Sequence, residues 1–257
     1  MPQGSRTRQK TALASEIVLP PPFTLVTLRE VGDAFAHAKA LAPRNGAGTL
    51  AYVGRFDLCE FAVVLEPDEP LRQARRSFYA GMSALADAIV AFAPPNVPVE
   101  IAWPDAILIN GALVGGGRLG WPEAAKEDDV PDWIVFGAMI RTISMSNEEA
   151  GLSPMVTALE QEGFTDAAAS ELVGSFARHL MVTTDAWQEY GFPAIARDYL
   201  ARLPAEQGLR RDIGDNGDLL VRRMGRTEIK TETERRKLAP LLAAPSWYDP
   251  QARGPKL

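Results

Sequence analysis

The stretch Trp103-Pro104-Asp105-Ala106-Ile107-Leu108-Ile109-Asn110-Gly111-Ala112-Leu113-Val114-Gly115-Gly116-Gly117-Arg118 holds two apolar runs separated by Asn110-Gly111. An Asn-Gly pair accepts positive φ in a tight turn, so 106–109 and 113–118 are expected to be the arms of a β-hairpin. Three glycines in a row weaken the second arm unless something approaches its backbone closely. A ligand is the expected neighbour, with Arg118 as a cation beside it.

On either side of the hairpin, 97–103 and 133–142 also read as strands, which makes an antiparallel sheet. The proline-marked acidic loop 122–131 interrupts it and is expected to be a mobile cover. Before the sheet, Leu71, Ala74, Phe78, Met82, Leu85, Ile89 and Phe92 recur at helical spacing and predict one long helix, stopped by Pro94-Pro95. Strands are expected at 23–28, 49–53 and 60–65, with a helix after the first that ends at Pro43. Two helices, 166–190 and 193–203, close the body. Asp215-Asn216-Gly217-Asp218 marks a turn between short strands, followed by a charged helix and a proline-rich end. The fold class is therefore α+β, a mixed and mainly antiparallel sheet with helices packed on one face and a small C-terminal β appendage. The expected divisions are a disordered segment 1–22, a domain 23–207 and the appendage 208–257.

Of the 257 residues, 46% are hydrophobic and 23% charged, which suits a folded core and excludes intrinsic disorder. No run of 18 apolar residues occurs, and Glu16 with Pro20-Pro21-Pro22 breaks any signal-like segment, so a cytoplasmic protein with no membrane partner is expected. Cys59 is the single cysteine, and His37 and His179 are the two histidines. A disulfide or a dedicated metal site is not expected. Residues 208–257 hold 11 Lys and Arg against 7 Asp and Glu, leaving 16 against 26 in the rest of the chain. The body thus lacks the basic face that nucleic acid requires, and no nucleic-acid partner is expected.

Trp103-Pro104-Asp105, the apolar strand, the turn and the following glycines resemble the Trp-Pro-Asn-Asp, strand, turn, Lys and Gly-pair motif of the biotin/lipoate protein ligase superfamily. Gly46-Ala47-Gly48 is similar in place to that superfamily's nucleotide loop, and 133–140 resembles the apolar strand that closes its sheet. The helix pair with Trp187, Tyr190-Gly191-Phe192 and Ile195 resembles its closing helices, and 215–221 its C-terminal hairpin. The resemblance covers about residues 23–225. It implies the superfamily's fold and a reaction in which ATP activates biotin, lipoate or octanoate as an acyl-adenylate that then modifies a lipoyl or biotinyl carrier domain. With no stretch before Phe23 for a DNA-binding domain, the repressor role of some members is not expected here.

The resemblance also implies where the site lies and where this chain departs. Gly46, Gly48, Thr49, Arg55, Trp103, Pro104, Asn110, Gly115, Gly116 and Gly117 are the expected substrate-binding residues, with Asp105 and Arg118 in catalytic roles. Leu113 stands at the position of the motif lysine, and Ala47 and Thr49 replace the arginines of the nucleotide loop. A carboxylate and a triphosphate can meet only among cations, so these losses bear on adenylation itself. Members that pass octanoyl through a cysteine thioester keep it near the 133–140 strand; Cys59 falls elsewhere in sequence and reads as a core residue. Two readings stand open. One is a ligase or acyltransferase with a rearranged cation set, and the other a non-catalytic binding or accessory protein on the same scaffold.

Overall fold

A computed structural model describes residues 17–145, 155–165, 167–223 and 233–256. In chain order the elements are β1 (Thr24–Leu28), α1 (Ala34–Asn45), β2 (Thr49–Gly54), β3 (Leu58–Leu65), α2 (Leu71–Ala74), α3 (Ser77–Val90), β4 (Val99–Ala102), β5 (Ala106–Ile109) and β6 (Ala112–Gly120). Then follow β7 (Ile134–Arg141), α4 (Ala169–Tyr190), α5 (Phe192–Leu200), β8 (Leu209–Ile213), β9 (Leu219–Arg223), β10 (Thr233–Arg236), α6 (Leu238–Leu242), β11 (Tyr248–Asp249) and β12 (Gly254–Pro255). Seven strands form one sheet in the order β1-β2-β3-β7-β6-β5-β4, antiparallel throughout except where β1 runs beside β2. A three-stranded sheet, β10-β9-β8, follows it.

Side-chain alternation divides the central strands between two cores. Leu50, Tyr52, Phe61, Val63, Phe136 and Ile140 face α3 and α4, and the Phe61 and Phe176 rings sit 4.5 Å apart. Ala51, Val53, Ala62, Val64 and Val135 face the opposite way, against Ala34, Ala38 and Ala42 of α1. Helices therefore cover both faces rather than the expected one. β3 reads as a nearly continuous apolar run for the same reason.

Several local expectations are corrected. The helix over 71–92 is interrupted at Arg75 and Arg76, where Arg76, Phe78 and Tyr79 donate to carbonyls three residues back, a tighter 3-10 pattern. α1 continues two residues past Pro43, and Gly46, at φ 72°, closes it by donating to the Ala42 carbonyl. The acidic loop is tied down, because the Asp129 and Glu127 carbonyls accept from Leu71 and Arg72 N–H at the start of α2. Arg75 adds a fork to the Glu127 carboxylate, at 2.7 and 2.5 Å, and lies over the Trp121 ring. Where a charged helix was expected, Thr233–Arg236 is a strand and Leu238–Leu242 a short helix; residues 224–232 lie outside the described set. The expected disorder at 1–16 likewise lies outside it, whereas Ile17 and Leu19 pack on the main core. Ile213, Leu238 and Leu242 of the C-terminal fifty residues also join that core. No described helix is long and apolar enough to cross a membrane.

Candidate functional site

Strand register sets one row of residues across five strands: Val53 pairs with Glu60, Glu60 with Met139, Met139 with Gly116, and Gly116 with Ala106. All five lie on the face that α1 covers at the β2 and β3 end. α1 also reaches Val135 of β7, and over Ala106, Gly116 and Met139 that face is covered instead by Trp247 and its neighbours. Trp247, 1% exposed, packs on Ala106 and Met139, with Leu113, Ala102 and Tyr248 around it. Its indole N–H donates to the Gly117 carbonyl at 2.9 Å.

Between α1 and this C-terminal segment lies a cavity of about 240 Å³, lined by Glu30, Val31, Gly32, Asp33, Arg55, Glu60, Met139, Tyr248, Ala252 and Arg253. Asp33 is placed by its capping role, since its carboxylate accepts from Ala36 N–H at the start of α1. Glu60, 2% exposed, accepts from Ala34 N–H at 2.9 Å. Burial pushes the Glu60 carboxyl above its ordinary range, Asp33 adds to the rise, and the Ala34 N–H with Arg118 and Arg55 opposes it. Arg55 forks onto Asp57 at 3.0 and 2.6 Å. That hydrogen-bonded pairing raises the guanidinium pKa and lowers that of the carboxyl. Arg118 donates to Asp33 at 3.2 Å and is stacked between the Phe35 and Tyr248 rings, at 4.3 and 5.1 Å.

Of the expected site residues, the fold brings Arg55, Asp105, Gly115, Gly116, Gly117 and Arg118 to one end of the sheet. Gly46, Gly48 and Thr49 are not among them. Thr49 is four residues along β2 from Val53, about 13 Å away at the rise of a strand. Gly48 donates to the Val64 carbonyl and accepts from Thr24, so this glycine turn shapes the exit of α1 and the entry to β2. Asn110 stands in the far turn of the hairpin at φ 50°, exposed, with its amide on Glu162. Trp103 is turned toward the other core, where its indole donates to the Tyr79 hydroxyl, and the Pro104 carbonyl accepts from Tyr199.

The three glycines have close neighbours within the chain itself, which by themselves account for the missing side chains. A Cβ on Gly115, at φ 153°, would run into the Met139 carbonyl, and one on Gly116 into the Asp105 carbonyl and the Trp247 indole. On Gly117 it would lie 2.5 Å from Met82 Sδ and against the Phe136 ring. Asp105, 1% exposed, holds the C-terminal segment: Ser246 N–H and hydroxyl donate to its two oxygens at 2.7 and 2.5 Å. Burial raises the Asp105 carboxyl pKa, and these bonds offset only part of the rise. Cys59 lies opposite Ile140 in the sheet, nearer the closing strand than the sequence suggested. Its thiol faces α4, bonded to the Ala169 carbonyl, and burial pushes its pKa far up, so no thiolate faces the cavity.

The donor set does not fit a nucleotide triphosphate. The lining has three carboxylates, no lysine, and two guanidiniums, one already paired with Asp57. A phosphate charge about 5 Å from one such carboxylate is opposed by roughly 3 kcal/mol at an effective dielectric near 20. Among the described residues no group of three His, Cys, Asp or Glu side chains could hold a metal ion. Sequence reasoning missed Glu60, although an acid inside the apolar run of β3 was a signal for it. It also missed Asp33, whose place just before a helix was another. Nothing local pointed to Tyr248, Ala252 or Arg253.

A family model described as the biotin/lipoate A/B protein ligase family matches residues 19–201. No curated protein sequence matches the chain. Among solved structures, a biotin protein ligase-like protein of unknown function from Silicibacter sp. is 28% identical, with a TM-score of 0.71 over 85% of this chain and 96% of that one. Biotin protein ligase from Aquifex aeolicus is 14% identical at a TM-score of 0.61, over 84% of this chain and 100% of its own. The ligase from Leishmania major, in complex with biotinyl-5-AMP, is 14% identical at 0.54, over 85% and 100%. At such identity the two ligases share the fold. With the family model spanning well over half of its residues, the chain belongs to the biotin/lipoate A/B protein ligase family.

Proposed function

We propose that the chain binds a carboxylic acyl group of the biotin, lipoate or octanoate kind without adenylating it, as a binding or accessory member of its family. The observation that carries this reading is Leu113. It stands where the resemblance places the activating lysine, and it lies in an apolar cluster with Trp247, Met139 and Ala106. A methyl-bearing side chain cannot neutralise a carboxylate and an α-phosphate as they approach, and loss of one such contact removes about 3 kcal/mol or more of transition-state stabilisation. The acidic lining of the cavity supports the same reading. Family membership and the apolar shelf of Ala106, Met139 and Leu113 beneath Trp247 support a retained acyl site, and a lipoyl or biotinyl carrier domain is the proposed macromolecular partner.

The test pairs two measurements on the full chain. Exchange of labelled pyrophosphate into ATP with biotin, lipoate or octanoate should stay at background, while calorimetric titration should detect at least one of the acids. Robust exchange, abolished by Arg118→Ala, would establish an enzyme with a substituted cation and overturn the non-adenylating reading. Absence of binding by all three acids at millimolar concentration would overturn the acyl-binding reading.

A further inference from the structure

Residues 246–256 cover the site as a unit of their own. β11 and β12 pair with each other, Tyr248 with Pro255 and Asp249 with Gly254, and not with the seven-stranded sheet. Lys256 N–H closes the loop on the Trp247 carbonyl at 2.8 Å. The unit is fastened to the body by side-chain bonds. Asp105 takes Ser246, Gly117 takes the Trp247 indole, and the Arg141 guanidinium donates to the Pro255 and Lys256 carbonyls at 3.0 and 3.2 Å.

These fasteners have a chemical pattern. Arg141 is 9% exposed, burial lowers its pKa while Asp57 opposes the fall, and a guanidinium is a charged donor in a folded protein. Both carbonyl oxygens sit on one guanidinium nitrogen, and a carboxylate taking their place on that cation would make a stronger, charge-assisted bond than two neutral acceptors do. Beside them an apolar ring fills a shelf of Ala106, Met139 and Leu113. A carboxylate joined to an apolar body would reproduce both contacts.

We propose that residues 246–256 are a strap closed over the acyl site, with Trp247 in the place of the ligand's apolar body and the Pro255 and Lys256 carbonyls in the place of its carboxylate on Arg141, so that the ligand enters when the strap leaves. The proposal rests on the acyl-binding reading above and adds Arg141 as the residue that holds the carboxylate. A unit attached by a few side-chain bonds and one ring opens at lower free energy than a strand bonded on both sides, which is what such a strap requires.

Octanoate, lipoate and biotin are the probes. Trp247→Ala in the full chain should bind at least one of them ten-fold or more tightly than wild type, and Arg141→Gln added to that variant should lose the gain. Circular dichroism and melting temperature check that each variant is folded. Hydrogen exchange on the unaltered chain is independent of any substitution. Peptides covering 246–256 should exchange faster than β7 and become less protected when the binding acid is added. Equal affinity of wild type and folded Trp247→Ala, or a strap as protected as β7 and unchanged by saturating ligand, overturns the strap alone. If neither chain binds any probe, the acyl-binding reading falls and the strap's role falls with it.

Discussion

Glu60 shows how one side chain can carry both a structural and a titration role. Its carboxyl is raised by burial first and by Asp33 second, against Ala34 N–H, Arg118 and Arg55. A group whose folded pKa exceeds its unfolded value binds protons better when folded. Its stabilising contribution is complete below the ordinary glutamate pKa, and it is lost as pH rises through the folded value. Glutamine keeps the acceptor for Ala34 and imitates the protonated acid. Glu60→Gln should therefore melt about 2–4 °C higher than wild type at pH 8, with the difference gone below about pH 4. Melting curves across that range check it, and an unchanged or lower melting temperature at pH 8 would show that the ionised carboxylate is compensated by its cations. Glu60 was also within reach of sequence reading, as an acid set inside an apolar strand. Asp105, expected from the sequence in a catalytic role, holds Ser246, a partner 141 residues away that left no local trace.

The acidic loop between β6 and β7 shows what composition misses. Proline and acid content suggested mobility, yet the loop supplies acceptors to the first N–H groups of α2 and a carboxylate to Arg75. Arg75 is nearly buried while Glu127 is mostly exposed, so solvent screening limits the pair to under about 1 kcal/mol of stability. Its effect is positional. Glu127→Ala should change the urea midpoint little and yet increase tryptic cleavage after Lys126 several-fold, read by mass spectrometry of timed digests. Cleavage as slow as in wild type would mean that the backbone bonds from Leu71 and Arg72 hold the loop unaided. Because Arg75 holds the Glu127 carboxyl below its usual range, the pair's contribution persists above the ordinary glutamate pKa and disappears as pH falls through the lowered value.

The whole molecule is a sheet with two unequal cores, a large aromatic one under α3, α4 and α5 and a thin alanine-lined one under α1. β3 and β7 lie at the centre, neighbours in the sheet and covered on both sides, and every residue of β7 is buried. All four residues of β10 are exposed, at the edge of the small sheet. Amide exchange should follow this order. Protons of β3 and β7 should exchange through global unfolding and shift with urea at the full global slope, whereas those of β10 should exchange through local opening with little urea dependence. Equal slopes in the two sheets would indicate a single cooperative unit extending to the C-terminal strands.

Local chemistry was enough to determine most of the elements and the family resemblance. Asn110-Gly111 specifies a turn by its backbone preference, and the apolar spacing within 166–190 specifies a helix whichever partner it packs on, so both were legible before any contact was known. The site was legible only as a set of residue types. Which end of a strand meets which, and what fills the space over Gly115, Gly116 and Gly117, depends on register and on contacts such as Trp247 with Gly117, 130 residues apart. Periodicity reports which face of a strand is apolar and carries no information about the distant segment that covers it. Tertiary packing therefore separated Gly46, Gly48 and Thr49 from the site, turned Trp103 and Cys59 to the other face, and laid residues 246–256 over Gly116 and its apolar neighbours.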